Sequence, residues 1–254
     1  MNQFGSSGIG YHGSAVTAAL LADGHTVRAH VRSIASAGRL PAGAEPVAGD
    51  PGDAAGPRAR TDKSDGVLHA ASPNDATSGS VDAAFLGVAV SALAGSGRPL
   101  VYTGGTWVHG SEDPITEEHP IDPPPMAARR PAILQRLQTA AADDIRTVVI
   151  APASVYGACP EPALLYAGNG KHRCASVHRE DIATLYALGM CTASAGPSYL
   201  GANAHSPTMA ELATAASRSR GPNGRIATEP EADSRAHGSV CSSRRSCRCS
   251  TLRS

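Results

Sequence analysis

Gly5-Ser-Ser-Gly8-Ile-Gly10-Tyr-His-Gly13 lies between the first residues and the first helical pattern of this 254-residue chain. Gly8, Gly10 and Gly13 have the G-x-G-x-x-G spacing of a dinucleotide-binding turn. One glycine permits the tight turn, one lets a pyrophosphate approach the backbone, and one lets the helix pack closely on its strand. Phosphate oxygens then meet N–H groups at the positive end of the helix. The glycines alone carry little weight, and a glycine-rich loop without a ligand is the alternative. Their setting adds to them. Ser14 to Asp23 places Ala15, Val16, Ala19 and Leu20 on one helical face, Gly24 stands where a left-handed cap is wanted, and His25 to Val31 reads as a strand. Asn2-Gln3-Phe4-Gly5, by contrast, is a poor buried strand. At the end of the second strand an acidic residue would hold the ribose 2′-hydroxyl of NAD, but the chain reads Val31-Arg32-Ser33. Arg32 is placed to pair with a 2′-phosphate, so NADP is expected in preference to NAD, with an ordinary solvated arginine as the alternative.

The alternation continues outward from the turn. Short apolar runs at Glu45–Ala48, Gly66–Ala71, Pro99–Thr103 and Thr147–Ala151 are separated by helical spacing over Val81–Leu93 and Pro131–Ala142. Strand, helix, strand in succession means parallel pairing with right-handed crossovers. The expected fold class is α/β, a Rossmann-type doubly wound parallel sheet with a reduced C-terminal substrate lobe and a disordered tail. Ser111 to Pro131, with six prolines, reads as a loop over the sheet's edge. Asp181 to Met190 is helical, and Thr208-Met-Ala-Glu211 is a capping box opening a helix to about Ser217. The expected domains are a nucleotide-binding body over 1–220, with its lobe mainly in 153–220, and a tail over 221–254. Residues 234–254 hold seven Ser, five Arg and three Cys, too little apolar mass to offset ordering entropy.

Composition excludes several classes. Lys plus Arg and Asp plus Glu each number 22, so no basic field draws nucleic acid or a membrane surface. A basic Ser/Arg tail binding RNA is the minority alternative. No apolar run approaches the roughly 20 residues of a membrane span. MNQFGSSGIG has neither a basic nor an apolar leader region, so a cytoplasmic protein is expected. Six cysteines without a single CxxC pair read as unpaired thiols, and no metal site is expected. The expected partners are a small-molecule substrate and a second copy in a homodimer, without nucleic acid or membrane.

Seven stretches, in order, carry a resemblance: Gly10-Tyr-His-Gly13-Ser-Ala-Val with Gly24-His-Thr-Val-Arg-Ala-His-Val-Arg-Ser; Ala48-Gly-Asp50; Val67-Leu-His-Ala-Ala71; Leu100-Val-Tyr-Thr-Gly-Gly-Thr-Trp-Val-His-Gly110; Val149-Ile-Ala-Pro-Ala-Ser-Val-Tyr-Gly157; and Val177-His-Arg-Glu-Asp-Ile-Ala183. Residues 1 to about 215 thereby resemble the extended short-chain dehydrogenase/reductase superfamily, in its NAD-dependent epimerase/dehydratase branch. The resemblance implies a Rossmann fold with a small substrate lobe. It puts Ser7 at the family's first glycine, Gly10 and Gly13 at the second and third, and Asp50 facing the adenine. Ala70 and Ala71 would line the cofactor. Gly8, Tyr11, His12 and Arg32 complete the expected cofactor set, with the Ser7 Cβ near the pyrophosphate.

The same resemblance implies a Tyr-x-x-x-Lys pair with a Ser or Thr, and here the chain departs from it. Lys63 and Lys171 are its only lysines, with Ala59 and Ala167 four residues before them. Pro125-Met-Ala-Ala-Arg-Arg-Pro131 stands where the pair should fall, and Gly105 where Ser or Thr should. Thr106 and His109 are the catalytic candidates that remain, with Glu117, Glu118 and His119 as further proton carriers in the proline-rich loop. Solvated loop charges are the alternative for those groups. His178 and Asp181 read as structural. The expected function is oxidoreductase or epimerase chemistry on a small carbonyl or sugar-like substrate. The alternatives are a non-catalytic NADP(H)-binding sensor or regulator, and a degenerate family member without activity. The ending Cys-Ser-Ser-Arg-Arg-Ser-Cys-Arg-Cys has the look of translation in a shifted reading frame.

Overall fold

The computed structural model describes residues 1–7, 10–49, 61, 63–72, 75–110, 114–157, 163–167, 169–219 and 225–229. The chain divides into two compact units. Met1–Gly105, Arg129–Ala151 and Arg179–Tyr199 make the first; Thr106–Ala128, Pro152–His178 and the residues from Leu200 onward make the second. Arg179–Tyr199, inside the stretch expected to form the lobe, thus returns to the first unit, and Thr106–Ala128 joins the second.

The first unit is built on β1 (Gln3–Ser7), α1 (Tyr11–Ala22), β2 (Thr26–Val31), β3 (Glu45–Ala48), β4 (Gly66–His69), α2 (Ser78–Leu93), β5 (Pro99–Thr103), α3 (Arg130–Ala141), β6 (Arg146–Pro152) and α4 (Arg179–Cys191). β10 (Ser198–Gly201) completes a seven-stranded sheet in the order β10-β6-β5-β4-β1-β2-β3. β1 pairs in parallel with β2 on one side and β4 on the other, bringing Ser7 opposite His30 and His69. From β1 the chain builds outward to β3 and then returns to β4 on the other side of β1. That reversal is the switch point at which open α/β sheets take ligands, beyond the carboxyl ends of their strands.

Period-two alternation divides the sheet's side chains between two helical layers. Val67, Leu100, Tyr102 and Val149 pack against α2 and α3 in a core with Phe85, Leu86, Leu93, Ile133 and Leu137. On the opposite face α1 packs against α4. Arg146 closes the C-terminus of α4. Its Nη1 donates to Gly189 O at 3.1 Å and Ala193 O at 2.7 Å, and its Nη2 to Met190 O at 2.5 Å. Carbonyls at a helix C-terminus lack N–H donors within the helix, and a guanidinium suits the negative end of its dipole.

β1 forms although its residues have poor strand propensity. It lies between two partners, Phe4 to Ser7 are buried, and pairing on both edges outweighs local preference. α1 starts at Tyr11, before the apolar stripe begins. In the second unit β7 (Ser154–Tyr156) pairs with β9 (Ser176–His178), and β8 (Ala163–Ala167) with β11 (Arg225–Glu229). α5 (Met209–Ser219) opens with the expected capping box: Glu211 Oε2 accepts from Thr208 N at 2.7 Å, and Glu211 N donates to Thr208 Oγ1 at 3.2 Å. β11 lies inside the segment expected to be disordered, ahead of the Ser/Arg/Cys-rich residues 234–254, and pairs in parallel with β8. The remainder of 220–254 lies outside the described residues. So do Gly8 and Asp50.

Candidate functional site

The expected cofactor residues that the structure describes share one edge of the sheet. Ser7 ends β1; Gly10, Tyr11, His12 and Gly13 begin α1; Arg32 follows β2; Ala70 and Ala71 follow β4. Gly10 is the N-cap of α1, at φ −71° and ψ −170°, and no side chain caps that first turn. Any residue adopts this extended backbone, so conformational freedom is not what glycine supplies here. Among the described residues, nothing lies within 4 Å of where a Gly10 Cβ would stand. The space at Gly10 adjoins the uncapped, positive end of α1, and a side chain at this position would enter it. Gly13 is buried in the first turn of α1. Arg32 is exposed and forms no ion pair among the described residues. Burial lowers the pKa of His12 below the ordinary histidine value. Arg179 reaches over the Tyr11 ring, 5.4 Å from its centroid. These groups fit a dinucleotide phosphate.

Ser7 meets a partner that the sequence did not advertise. Its Oγ lies 2.7 Å from His69 Nδ1 and 3.2 Å from Leu68 O. His69 Nε2 donates to Asp82 Oδ1 at 2.9 Å, and Tyr102 OH donates to Asp82 Oδ2 at 3.0 Å. Arg129 Nε stands 3.5 Å from the same Oδ2. All of Ser7, His69, Asp82 and Tyr102 are buried, and the His69 ring stacks on Phe85 with centroids 4.0 Å apart. The Ser7 hydroxyl donates to Leu68 O, and His69 gives its Nε2–H to the carboxylate. Burial raises the Asp82 pKa, and the hydrogen bonds and charge from His69, Tyr102 and Arg129 outweigh it, leaving the carboxyl below its ordinary value. The chain thus ties the last residue of β1 to β4, α2 and β5, around the switch point. One signal was available: Asp82 falls on the same helical stripe as Ser78, Phe85, Leu86 and Ala89, where a charge needs a buried partner.

The catalytic candidates Thr106 and His109 belong to the second unit, in a 3-10 turn (Thr106–His109) that follows β5, and both are buried. His109 Nδ1 donates to His119 O at 2.9 Å, which leaves Nε2 as the basic nitrogen. Thr116 N and Oγ1 each approach His119 Nδ1 at 3.0 Å, and Glu117 Oε1 accepts from Leu200 N at 3.0 Å. His119 is thus engaged within its own loop and Glu117 by Leu200, while Glu118 is exposed. Where the resemblance would place the Tyr–Lys pair, Arg129 is the N-cap and Arg130 the first residue of α3. Among the described residues no group of three or more His, Cys, Asp or Glu side chains is arranged for a metal ion, and no helix is long and apolar enough to cross a membrane.

No family model matches the chain. It is 29% identical over 217 residues to an uncharacterized protein of Schizosaccharomyces pombe, covering 78% of this chain and 74% of that one. Among solved structures it is similar to Thermus thermophilus UDP-glucose 4-epimerase in complex with NAD, at 18% identity and a TM-score of 0.77, covering 90% of this chain and 86% of that one. It is also similar to Streptomyces venezuelae dTDP-glucose 4,6-dehydratase with NAD bound, at 20% identity and a TM-score of 0.74, covering 89% and 84%. A Thermotoga maritima UDP-glucose 4-epimerase with UDP-glucose gives 14% identity and 0.75, covering 90% and 85%. The chain shares the Rossmann-type fold of these three structures.

Proposed function

We propose that this chain binds NADP(H) across the β1–β4 switch point and acts as an oxidoreductase or epimerase-type enzyme on a small carbonyl or sugar-like substrate. The observation that carries the proposal is the open space over Gly10 at the uncapped start of α1. Solved structures of the same fold, from Thermus thermophilus and Streptomyces venezuelae, are complexes with NAD. When bound, the nicotinamide supplies hydride transfer. The chain's own residues hold the phosphates: the α1 N-terminus takes the pyrophosphate, Arg32 the 2′-phosphate. Titrating purified protein with NADPH and NADH tests this. A charge-assisted contact of about 1.5–3 kcal/mol gives NADPH a ten- to hundredfold advantage, which Arg32→Ala removes. Equal dissociation constants for both cofactors, in wild type and variant alike, would count decisively against NADP.

The absent Tyr-x-x-x-Lys pair favours a second reading, a nucleotide sensor with little turnover. Burial holds the Tyr102 and Tyr186 phenols well above the ordinary tyrosine pKa, so neither replaces the missing base. Loss of general-base assistance costs about 10²–10⁴-fold in rate. The expected result is slow NADPH oxidation across a carbonyl panel, unchanged in Thr106→Ala. Brisk turnover that collapses in Thr106→Ala or His109→Ala would establish those residues as a substitute proton pathway. Rates near zero in all three proteins would favour the sensor.

A further inference from the structure

Arg130, the first residue of α3, lies against Gly105, two residues beyond β5. A Cβ on Gly105 would stand 3.8 Å from Arg130 Cζ and 3.9 Å from both Nε and Nη2. The guanidinium therefore flanks a position that has no side chain. Nη1 donates to Thr103 O at 3.0 Å, while Nε and Nη2 have no acceptor among the described residues. Arg129 next to it has the Asp82 carboxylate; Arg130 forms no ion pair among the described residues. Its place is also electrostatically unfavourable. α3 has no acidic residue in its first turn and no side-chain cap, and a cation at the positive end of a helix is disfavoured. The phenols nearest in charge do not offset it: Tyr186 OH donates to Thr103 Oγ1 at 2.8 Å, Tyr102 OH donates to Asp82, and burial keeps both protonated.

A half-buried guanidinium with one bond, at the wrong end of a helix, breaks local rules in a way that a ligand's negative charge compensates. It also stands at the carboxyl end of β5, in the row of strand ends where such sheets bind ligands. We infer that Arg130 is an oxyanion site, whose Nε and Nη2 take a carboxylate or phosphate group of the substrate in a two-point contact over the gap left by Gly105. That the oxyanion belongs to a substrate rests on the reading under Proposed function; the anion contact itself does not.

The test is NMR of the arginine Nε–H groups in the full chain, titrated separately with oxamate and with inorganic phosphate. The Arg130 signal is identified by its loss in Arg130→Lys and Arg130→Met. The expected result is saturation of that signal at a concentration about tenfold below the one that shifts the exposed Arg39 and Arg218. Arg130→Lys keeps the charge but loses the fork, and should weaken binding, followed by calorimetry, about tenfold. Tighter oxamate assigns a carboxylate, tighter phosphate a phosphoryl group. Movement of the Arg130 signal no earlier than those of Arg39 and Arg218 overturns the site. NADPH affinity separates the two readings: it should stay within about twofold in a folded Arg130→Met. Its loss there would assign Arg130 to the cofactor and overturn the substrate contact. Failure of wild type to bind NADPH would instead sink the cofactor reading alone.

Discussion

Gly10→Val should raise the dissociation constant for NADPH at least about a hundredfold, a loss of about 2.8 kcal/mol, while the melting temperature stays close to that of wild type. Both halves of this expectation come from the same geometry. The backbone at Gly10 is extended, at φ −71°, so valine adopts it without strain. Among the described residues nothing lies within 4 Å of the new Cβ, so no core contact is displaced. The added side chain enters only the space at the start of α1, where a pyrophosphate would meet the helix N–H groups. Fluorescence titration with NADPH and thermal melting, run on both proteins, check the two halves separately. Unchanged affinity in a folded Gly10→Val would remove the cofactor from this turn. A large fall in melting temperature would show instead that Gly10 is needed for folding.

Asp82→Ala should cost about 3–5 kcal/mol of stability, because it strips the partner from a buried ion pair and leaves His69 and Tyr102 with unpaired groups. For a body of this size that lowers the melting temperature by on the order of 10 °C. Asp82→Asn, which keeps the volume and part of the hydrogen bonding, should lose less. The pH dependence has a definite sign. The folded pKa of Asp82 lies below its ordinary value, so the carboxylate's contribution is fully present above about pH 4 and is lost as pH falls through the folded value. The part of the stability gap between wild type and Asp82→Ala that comes from the carboxylate should shrink below about pH 4. A gap under about 1 kcal/mol at pH 7, by denaturant unfolding, would show that the buried chain from Ser7 to Asp82 is not an organising element.

The fold was legible because its signals are local and periodic. Apolar runs at Pro99–Thr103 and Glu45–Ala48 coincide with β5 and β3, and helical spacing located α2, α3 and α4 to within a few residues. Boundaries shifted where the first turn carries no aliphatic side chain: α1 and α2 each begin three residues before their apolar pattern, at Tyr11-His12-Gly13 and Ser78-Gly79-Ser80. The short strands β7 to β11 went unread. Three to five residues hold too few alternations to separate strand from loop, and their partners lie far along the chain.

The sequence by itself determined the glycine turn, the Rossmann succession of strands and helices, and the absence of the Tyr–Lys pair, because each depends on residue type at short spacing. Only the tertiary structure decided where the polar side chains find partners. Ser7 and His69 are 62 residues apart, and parallel pairing of β1 with β4 puts them opposite one another. Arg130 reaches Thr103 O across 27 residues and comes to rest beside Gly105. β1 itself, locally a poor strand, is fixed by β2 and β4 on its two edges. Propensity and periodicity are summed along the chain, whereas the partner of a buried hydroxyl, imidazole or guanidinium is set by strand order and register, which no local stretch contains.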